Sequence, residues 1–453
     1  MKREEPSTEV PARDKQVEED LWQRHGAERG VWTEPMLAAL ERGLKGNKWF
    51  SLIDKVWSEG TLELAWEKVK SNAGACGVDG ITIGRFAKDS QSRLLAVKEH
   101  LKRGTYQPKP VKRVWIPKPG STEKRPLGIP TVTDRVVQAA LRMVIEPIFE
   151  SRFAEGSHGF RPGRGCKDAL RQVEGLLRAG HLHVVDVDIK GYFDTIPHER
   201  LMALMRERLA DGRVLGLIEG FLKQEVMEST DWHEAKEEGT PQGGVISPLL
   251  ANIYLDPLDW KMAGEGFSMA RYADDMVVLC QSLEEAHKAL AAIKEWMAEA
   301  GLALHPEKTR LVDMTTAGSH FDFLGYRFKQ SRRGKIIRLA RPKSLSKLRE
   351  TIKPKVRRAN GKSMEAIIGD VNRTLQGWFA YFKHIHVSEM EEIDQWVRGR
   401  LRSILRKRRG AKGRGRGLDH HRWPNHYFTR LGLFCLQEAR ELEIASLRYG
   451  ENH

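Results

Sequence analysis

The sequence is poor in cysteine, has no long apolar run, and carries fewer acids than bases. Its four cysteines, Cys76, Cys166, Cys280 and Cys435, stand far apart in 453 residues. They match neither a zinc-ligand spacing nor a disulfide framework, which points to a reducing, cytoplasmic compartment. No stretch stays apolar for the ~20 residues that a membrane-crossing helix needs, so no membrane partner is expected. The N-terminus, MKREEPSTEV, lacks an apolar signal core and carries acids that a transit peptide avoids. No internal repeat is visible. The 61 acids are outnumbered by 76 lysines and arginines, a formal net charge of +15. Such a balance favours a polyanionic partner, most often nucleic acid, with an anionic membrane surface as the other candidate.

The length allows two to four domains around a large core. Residues 1–45 are polar and charge-mixed except for PMLAALERGL, and read as a loosely held extension with one helix. From 46 to 335 strand and helix patterns alternate. LHVVDVDI (182–189) and MVVLC (276–280) are rich in β-branched residues and read as strands. Leu283, Ala286, Leu290, Ile293 and Met297 recur at helical spacing, and Gly301 can close that helix. The mixture predicts an α+β architecture. From 341 onward the pattern is helical. Ile367, Val371, Leu375, Trp378 and Phe382 mark one apolar face, and Ile393, Val397, Leu401, Ile404 and Leu405 another, with bases between. RKRRGAKGRGRG (406–417) then reads as a flexible nucleic-acid-binding linker, through Arg406, Lys407, Arg408 and Arg409, against the plainer reading of a solvated loop. The aromatic, basic stretch after it is expected to pack back on the fold.

Two adjacent carboxylates, Asp274 and Asp275, interrupt β-prone runs in MARYADDMVVLC. Asp is common in turns because its short side chain bonds nearby backbone, so a plain hairpin is one reading. A divalent cation, which takes carboxylate oxygens and removes their repulsion, is the other. HVVDVDIKGYFDTI offers a third acid. Alternation along a strand places Asp186 and Asp188 on one face and Val185, Val187 and Ile189 on the other. Carboxylates beside a sheet are costly unless a cation compensates them, although an exposed edge strand would carry them too. Three carboxylates with two divalent ions suit in-line nucleotidyl transfer at a 3′-hydroxyl. A basic chain with these acids is a polymerase candidate.

Eight stretches in order carry a family resemblance: GACGVDGITI, VWIPKPGSTEKRPLGIPTVTDRVVQAAL, SHGFRPGRGCKDAL, DVDIKGYFDTIPHERL, GTPQGGVISPLLANIYLDPLD, RYADD, GLALHPEKTRLV and FLGYRF. Together they resemble the bacterial group II intron-encoded reverse transcriptase/maturases, over roughly residues 46–440. The resemblance implies a right-hand polymerase fold: fingers at 46–180, a palm with antiparallel sheet at 181–335, a helical thumb or maturase domain X at 341–405, and a basic nucleic-acid-binding tail at 406–453. It implies an RNA-directed DNA polymerase that copies intron RNA into cDNA and aids intron splicing and mobility. Its partners would be group II intron RNA, an RNA template with a DNA primer, target DNA and dNTPs, in a bacterial cytoplasm and on the nucleoid when bound to DNA.

By the same resemblance Asp188, Asp274 and Asp275 are the catalytic residues, holding two Mg2+ with the backbone carbonyl of Ile189. Lys118 and Arg125, around a glycine-containing turn, would meet the triphosphate; Lys308 would lie near the metals. Gln242 and Gly243 would form the nascent base-pair pocket, Phe193 would exclude a 2′-hydroxyl, and Arg161, Arg164 and Gly325 would lie along nucleic acid. Ser247 and Pro248 read as an N-cap and first helical residue. The chain departs from some relatives in offering only Cys435 where a cysteine-containing HNH nuclease would stand, so no endonuclease is expected. Its N-terminal extension has no counterpart. Two other readings stay open: a domesticated reverse transcriptase in DNA repair or phage defence, and a non-catalytic RNA-binding splicing cofactor, against which the three intact aspartates count.

Overall fold

The valines of HVVDVD and DMVVLC build the central sheet of the computed structural model, which describes residues 22–450 apart from 24, 44, 45, 47, 118–123, 229, 230, 234–236, 360, 414 and 416. The chain divides into two compact units, Met1–Leu311 and Val312–His453. The first contains, in chain order, β1 (Val111–Pro117), β2 (Lys124–Ile129), β3 (His183–Asp188), β4 (Val226–Glu228), β5 (Asp231–His233), β6 (Ser268–Tyr272) and β7 (Asp275–Cys280). The unit boundary falls within the next strand, β8 (Arg310–Asp313).

The central sheet has the order β6-β7-β3-β8, with β7 antiparallel to both β6 and β3. Register places Val185 opposite Val278 and Asp188 opposite Asp275. Val185, Val187, Met276, Val278 and Cys280 enter the main core beside Ala286, Ala289 and Ile293 of the helix Leu283–Glu299. The alternate residues Asp186 and Asp188 are half-buried on the opposite face. Ser282 caps that helix, its hydroxyl accepting from the Glu285 N–H at 3.1 Å, a bond that satisfies one of the orphan donors of a helix start. A second sheet, β2-β1-β4-β5, joins β1 to β2 antiparallel and to β4 parallel. The α+β class is as expected.

The N-terminal segment departs from the loosely held extension. The expected helix is present at Glu34–Arg42, but Val31, Trp32 and Leu37 are buried in the main core. The Trp32 indole N–H donates to the Met143 carbonyl at 3.1 Å, and its ring stands edge-on to Trp49. Trp22, Ala27, Met36 and Leu40 pack against the same core, and average composition conceals these few apolar residues among the charges.

The second unit holds the antiparallel sheet of β9 (His320–Phe323), β10 (Tyr326–Gln330) and β11 (Ile336–Ala340), followed by helices. Ile367, Val371 and Leu375 are buried on the helix Met364–Phe382, and Ile393, Val397, Leu401 and Ile404 on Val387–Arg408. The basic stretch begins as helix and not as a linker. Arg406 to Arg408 complete the helix Val387–Arg408, since Arg and Lys are good helix formers. Arg406 pairs with Asp419 and donates to the Lys412 carbonyl at 2.9 Å. Short helices at Leu418–Arg422 and Asn425–Arg430 follow. Among the described residues no helix is long and apolar enough to cross a membrane.

Candidate active site

A two-residue loop, Ala273 and Asp274, joins β6 to β7, and Tyr272 pairs with Asp275. Tight hairpins of this kind need left-handed backbone, and Ala273 supplies it at φ +58°, a conformation that side-chain-bearing residues rarely adopt. The turn is held from below by Arg271, whose side chain is fully buried. Its guanidinium donates to the Ala273 carbonyl at 2.9 Å, to Asn252 Oδ1 at 3.0 Å and to Ser157 Oγ at 2.8 Å. It also makes a two-pronged pair with Asp259, one arm at 2.7 Å. Burial works against this charge, but Asp259 raises the Arg271 pKa above the usual arginine range. From the side, the segment around Gly156 and Gly159 lies against the hairpin. The His158 N–H donates to the Arg271 carbonyl at 2.8 Å, and the Arg271 N–H to the Gly156 carbonyl at 2.8 Å. A Cβ on Gly159 would strike the Ala273 nitrogen, so only glycine permits this approach.

The acids meet at the end of β3 and β7. Asp188 and Asp275 are cross-strand partners, with Asp274 next in the turn. Burial, and then the charge of Asp188, push the Asp274 carboxyl above its ordinary range. Lys308 Nζ donates to Asp188 Oδ1 at 3.1 Å, and Arg310 Nε to Asp186 Oδ2 at 3.1 Å. Asp186 therefore has a guanidinium partner of its own. Ile189 faces Leu304 across an antiparallel bridge flanked by the bonds Lys190 N–H to Ala303 O and His305 N–H to Asp188 O. In such a pair the backbone polar groups turn to the other side, which here is the side of Asp274 and Asp275. The donor set, carboxylates and a carbonyl, suits a hard divalent ion. Among the described residues, no three His, Cys, Asp or Glu side chains stand close enough together to hold one as they are; the Lys308 ammonium compensates Asp188 instead.

Other expected residues gather nearby. Gly191, at φ +61°, turns the chain from β3 into the short helix Tyr192–Thr195. Phe193 is half-buried there, edge-on to Tyr192 at 5.5 Å, and its carbonyl accepts from the Thr240 N–H at 2.7 Å. Gln242 donates to Asp194 Oδ2 at 2.9 Å and lines a cleft with Arg113, Trp115, Gly128 and Asp194. Gly243, at φ +112°, lies where any Cβ would strike the Gly128 carbonyl. Arg125 is exposed on β2, opposite Ile116. Lys118 lies outside the described residues. Ser247 is the first helical residue and not the N-cap, and its hydroxyl donates to the Pro241 carbonyl at 2.9 Å.

Two arginines are placed differently from expectation. Arg161 is not at a nucleic-acid surface. Its side chain is 3% exposed and is consumed by Glu150 at 2.8 Å and by the Ala154 and Ser157 carbonyls at 2.7 Å. Arg164 donates to the Glu155 carbonyl at 2.8 Å but keeps part of its surface. In the second unit Gly325 forms the β9–β10 turn with Leu324, whose carbonyl accepts from the Tyr381 hydroxyl at 2.7 Å. Arg271, Asp259, Asn252 and Ser157 were not singled out from sequence. An arginine beside the acidic pair was visible in RYADD, but its partners come from distant segments.

The comparisons with known proteins fall on this geometry. A family described as reverse transcriptase (RNA-dependent DNA polymerase) matches residues 116–328, which include all three aspartates. The group II intron maturase-specific domain matches residues 345–423. Protein YkfC of Escherichia coli (strain K12) is 33% identical over 304 residues, 57% of this chain and 78% of its own. The chain belongs to the reverse transcriptase family that carries a group II intron maturase domain. The right-hand polymerase fold follows from that membership. Group II intron-encoded protein LtrA of Lactococcus lactis subsp. cremoris is 39% identical over 234 residues, half of this chain and 38% of that relative, so the match spans well under half of LtrA. A solved chain from a partial Cas6-RT-Cas1–Cas2 complex covers 55% of this chain and 41% of its own at TM-score 0.36 and 23% identity, too loose a likeness to carry an argument. Reverse transcriptases as a family use a divalent metal.

Proposed function

We propose that this chain is an RNA-directed DNA polymerase that copies group II intron RNA into cDNA and assists splicing and mobility of that intron. The observation that supports the reading is the pairing of Asp188 with Asp275 across β3 and β7, with Asp274 next in the turn, inside the reverse transcriptase match. Asp188, Asp274, Asp275 and the Ile189 carbonyl would hold two Mg2+, which when bound supply a more acidic primer 3′-hydroxyl and charge compensation at the pyrophosphate. The chain's own residues do the rest. Arg271 and the Gly156–Gly159 segment fix the height of the turn that carries Asp274. Lys308 balances the carboxylate charge at Asp188 and offers a cation there to an incoming phosphate. Lys118 and Arg125 meet the triphosphate, the latter with a planar fork suited to it. Gln242 and Gly243 shape the pocket for the new base pair, and Phe193 closes the space a 2′-hydroxyl would need. Arg164, Gly325, Lys407 and Arg409 lie along template, primer or intron RNA, and the protein works in the cytoplasm and on nucleoid DNA.

Primer extension with magnesium, paired with filter binding, tests this. Asp274→Ala should abolish extension and leave RNA affinity nearly intact, because a distributed cationic surface carries binding. Near-normal extension by that variant would overturn the reading.

A further inference from the structure

Phe160 is placed at a cost that folding does not explain. Its backbone is left-handed, φ +58°, strained for a bulky residue. The residue is 42% exposed. Glycine at this position would relieve the backbone and remove an apolar group from water. The conformation is nevertheless enforced on all sides. The preceding Gly159 abuts Ala273, and the Gly159 carbonyl accepts from the buried Asn252 amide at 2.7 Å. Arg142 reaches the Phe160 carbonyl at 3.4 Å. The ring that results lies 5.9 Å from that of Tyr272, tilted by 46°. Tyr272 pairs with Asp275 across the hairpin. An aromatic pair, Phe160 exposed and Tyr272 half-buried, thus stands on the catalytic hairpin, with the Arg142 guanidinium beside it.

The geometry points to Phe160 as a nucleobase-stacking residue, which with Tyr272 forms a platform for one base of the primer–template next to the reacting end. The inference rests on the polymerase reading, and it assigns a contact that none of the acidic or nucleotide-binding residues above supplies. Stacking on an aromatic is tolerant of base identity, as copying any sequence requires. Strain at a non-glycine residue is retained where the position of a side chain matters to function.

The test places 2-aminopurine, whose fluorescence falls on stacking, in turn at the primer terminus, at its template partner and at the next template base. Wild type should quench it at one of these positions. Phe160→Gly should lose that quenching and bind the primer–template about tenfold more weakly, with a melting temperature equal to or above wild type. Phe160→Tyr should restore the quenching. Equal fluorescence for wild type and Phe160→Gly at all three positions, or a lower melting temperature with quenching retained, would overturn the assignment while leaving the polymerase reading intact. Failure of wild type to extend the primer would sink the polymerase reading, and the quenching comparison would still decide the role of Phe160.

Discussion

Replacing Arg271 with Met should destabilise the first unit severely, and the structure sets the size. The substitution leaves Asp259, 1% exposed at its side chain, as an unpaired buried charge, a loss of about 3–5 kcal/mol. For a unit this large each kcal/mol lowers the melting temperature by roughly 2 °C, so a drop on the order of 6–10 °C is expected. Asp259→Leu should cost a similar amount by stranding the guanidinium. The double variant removes both charges, and such replacements are often neutral in stability. It should therefore recover most of the lost melting temperature. It should not recover extension, because the Ala273 carbonyl still lacks its donor and the turn bearing Asp274 is free to shift. A misplacement of ~1 Å can lower turnover on the order of 100-fold. Thermal melts on the four proteins of the cycle, with single-turnover extension at saturating primer–template, decide the matter. A double variant that melts near wild type and extends at the wild-type rate would show that Arg271 serves only the fold.

Phe193→Ala should admit ribonucleotides much more readily while still using deoxynucleotides, read as the ratio of kcat/KM for a matched dNTP and rNTP. An unchanged ratio with a large fall in melting temperature would make Phe193 a core residue. Asp256 gives a pH prediction: burial, then the neighbouring Asp259, push its carboxyl up to about 7. The unfolded chain ionises it in the ordinary carboxylate range, so from about pH 4 to about 7 the unfolded state binds fewer protons, and this group's contribution to stability falls as pH rises. Asp256→Asn should raise the melting temperature more at about pH 8 than at about pH 5; an equal gain at both would refute the shift. Replacing Lys407 and Arg409, both exposed at the end of the helix Val387–Arg408, with Gln should lower the slope of log RNA affinity against log salt by about one per lost phosphate contact. A slope equal to wild type would mark them as solvated.

The acidic site was legible because its parts are local. Alternation in HVVDVD separates Asp188 from the core valines, and the adjacent Asp274 and Asp275 mark a tight hairpin. What brings them together is the β3–β7 register, which only the ordered family motifs implied. The misreadings have the opposite character. Arg161 in a glycine-rich turn has the look of a ligand contact, but its partner Glu150 lies on the preceding helix, a pairing no local pattern announces. The bases at 406–408 were read by composition, which says nothing about whether a helix has ended. Val31 and Trp32 sit among charges, and their burial depends on Trp49 and Met143. Arg271 was hidden for the same reason, since Ser157 comes to it from one segment and Asn252 and Asp259 from another, the helix Ser247–Gly264.

The docking of Trp32 on Met143 also has a consequence for biosynthesis. Its hydrogen-bond partner is encoded 111 residues later. At ~5–20 residues per second the ribosome takes roughly 6–20 s to deliver it. Once past the exit tunnel, Val31, Trp32 and Leu37 have no core to enter until Met143 follows them out. The segment that later anchors the first unit is, during translation, a greasy stretch displayed on the nascent chain, and a holdase that covers it would raise the yield of folded protein without touching the active site.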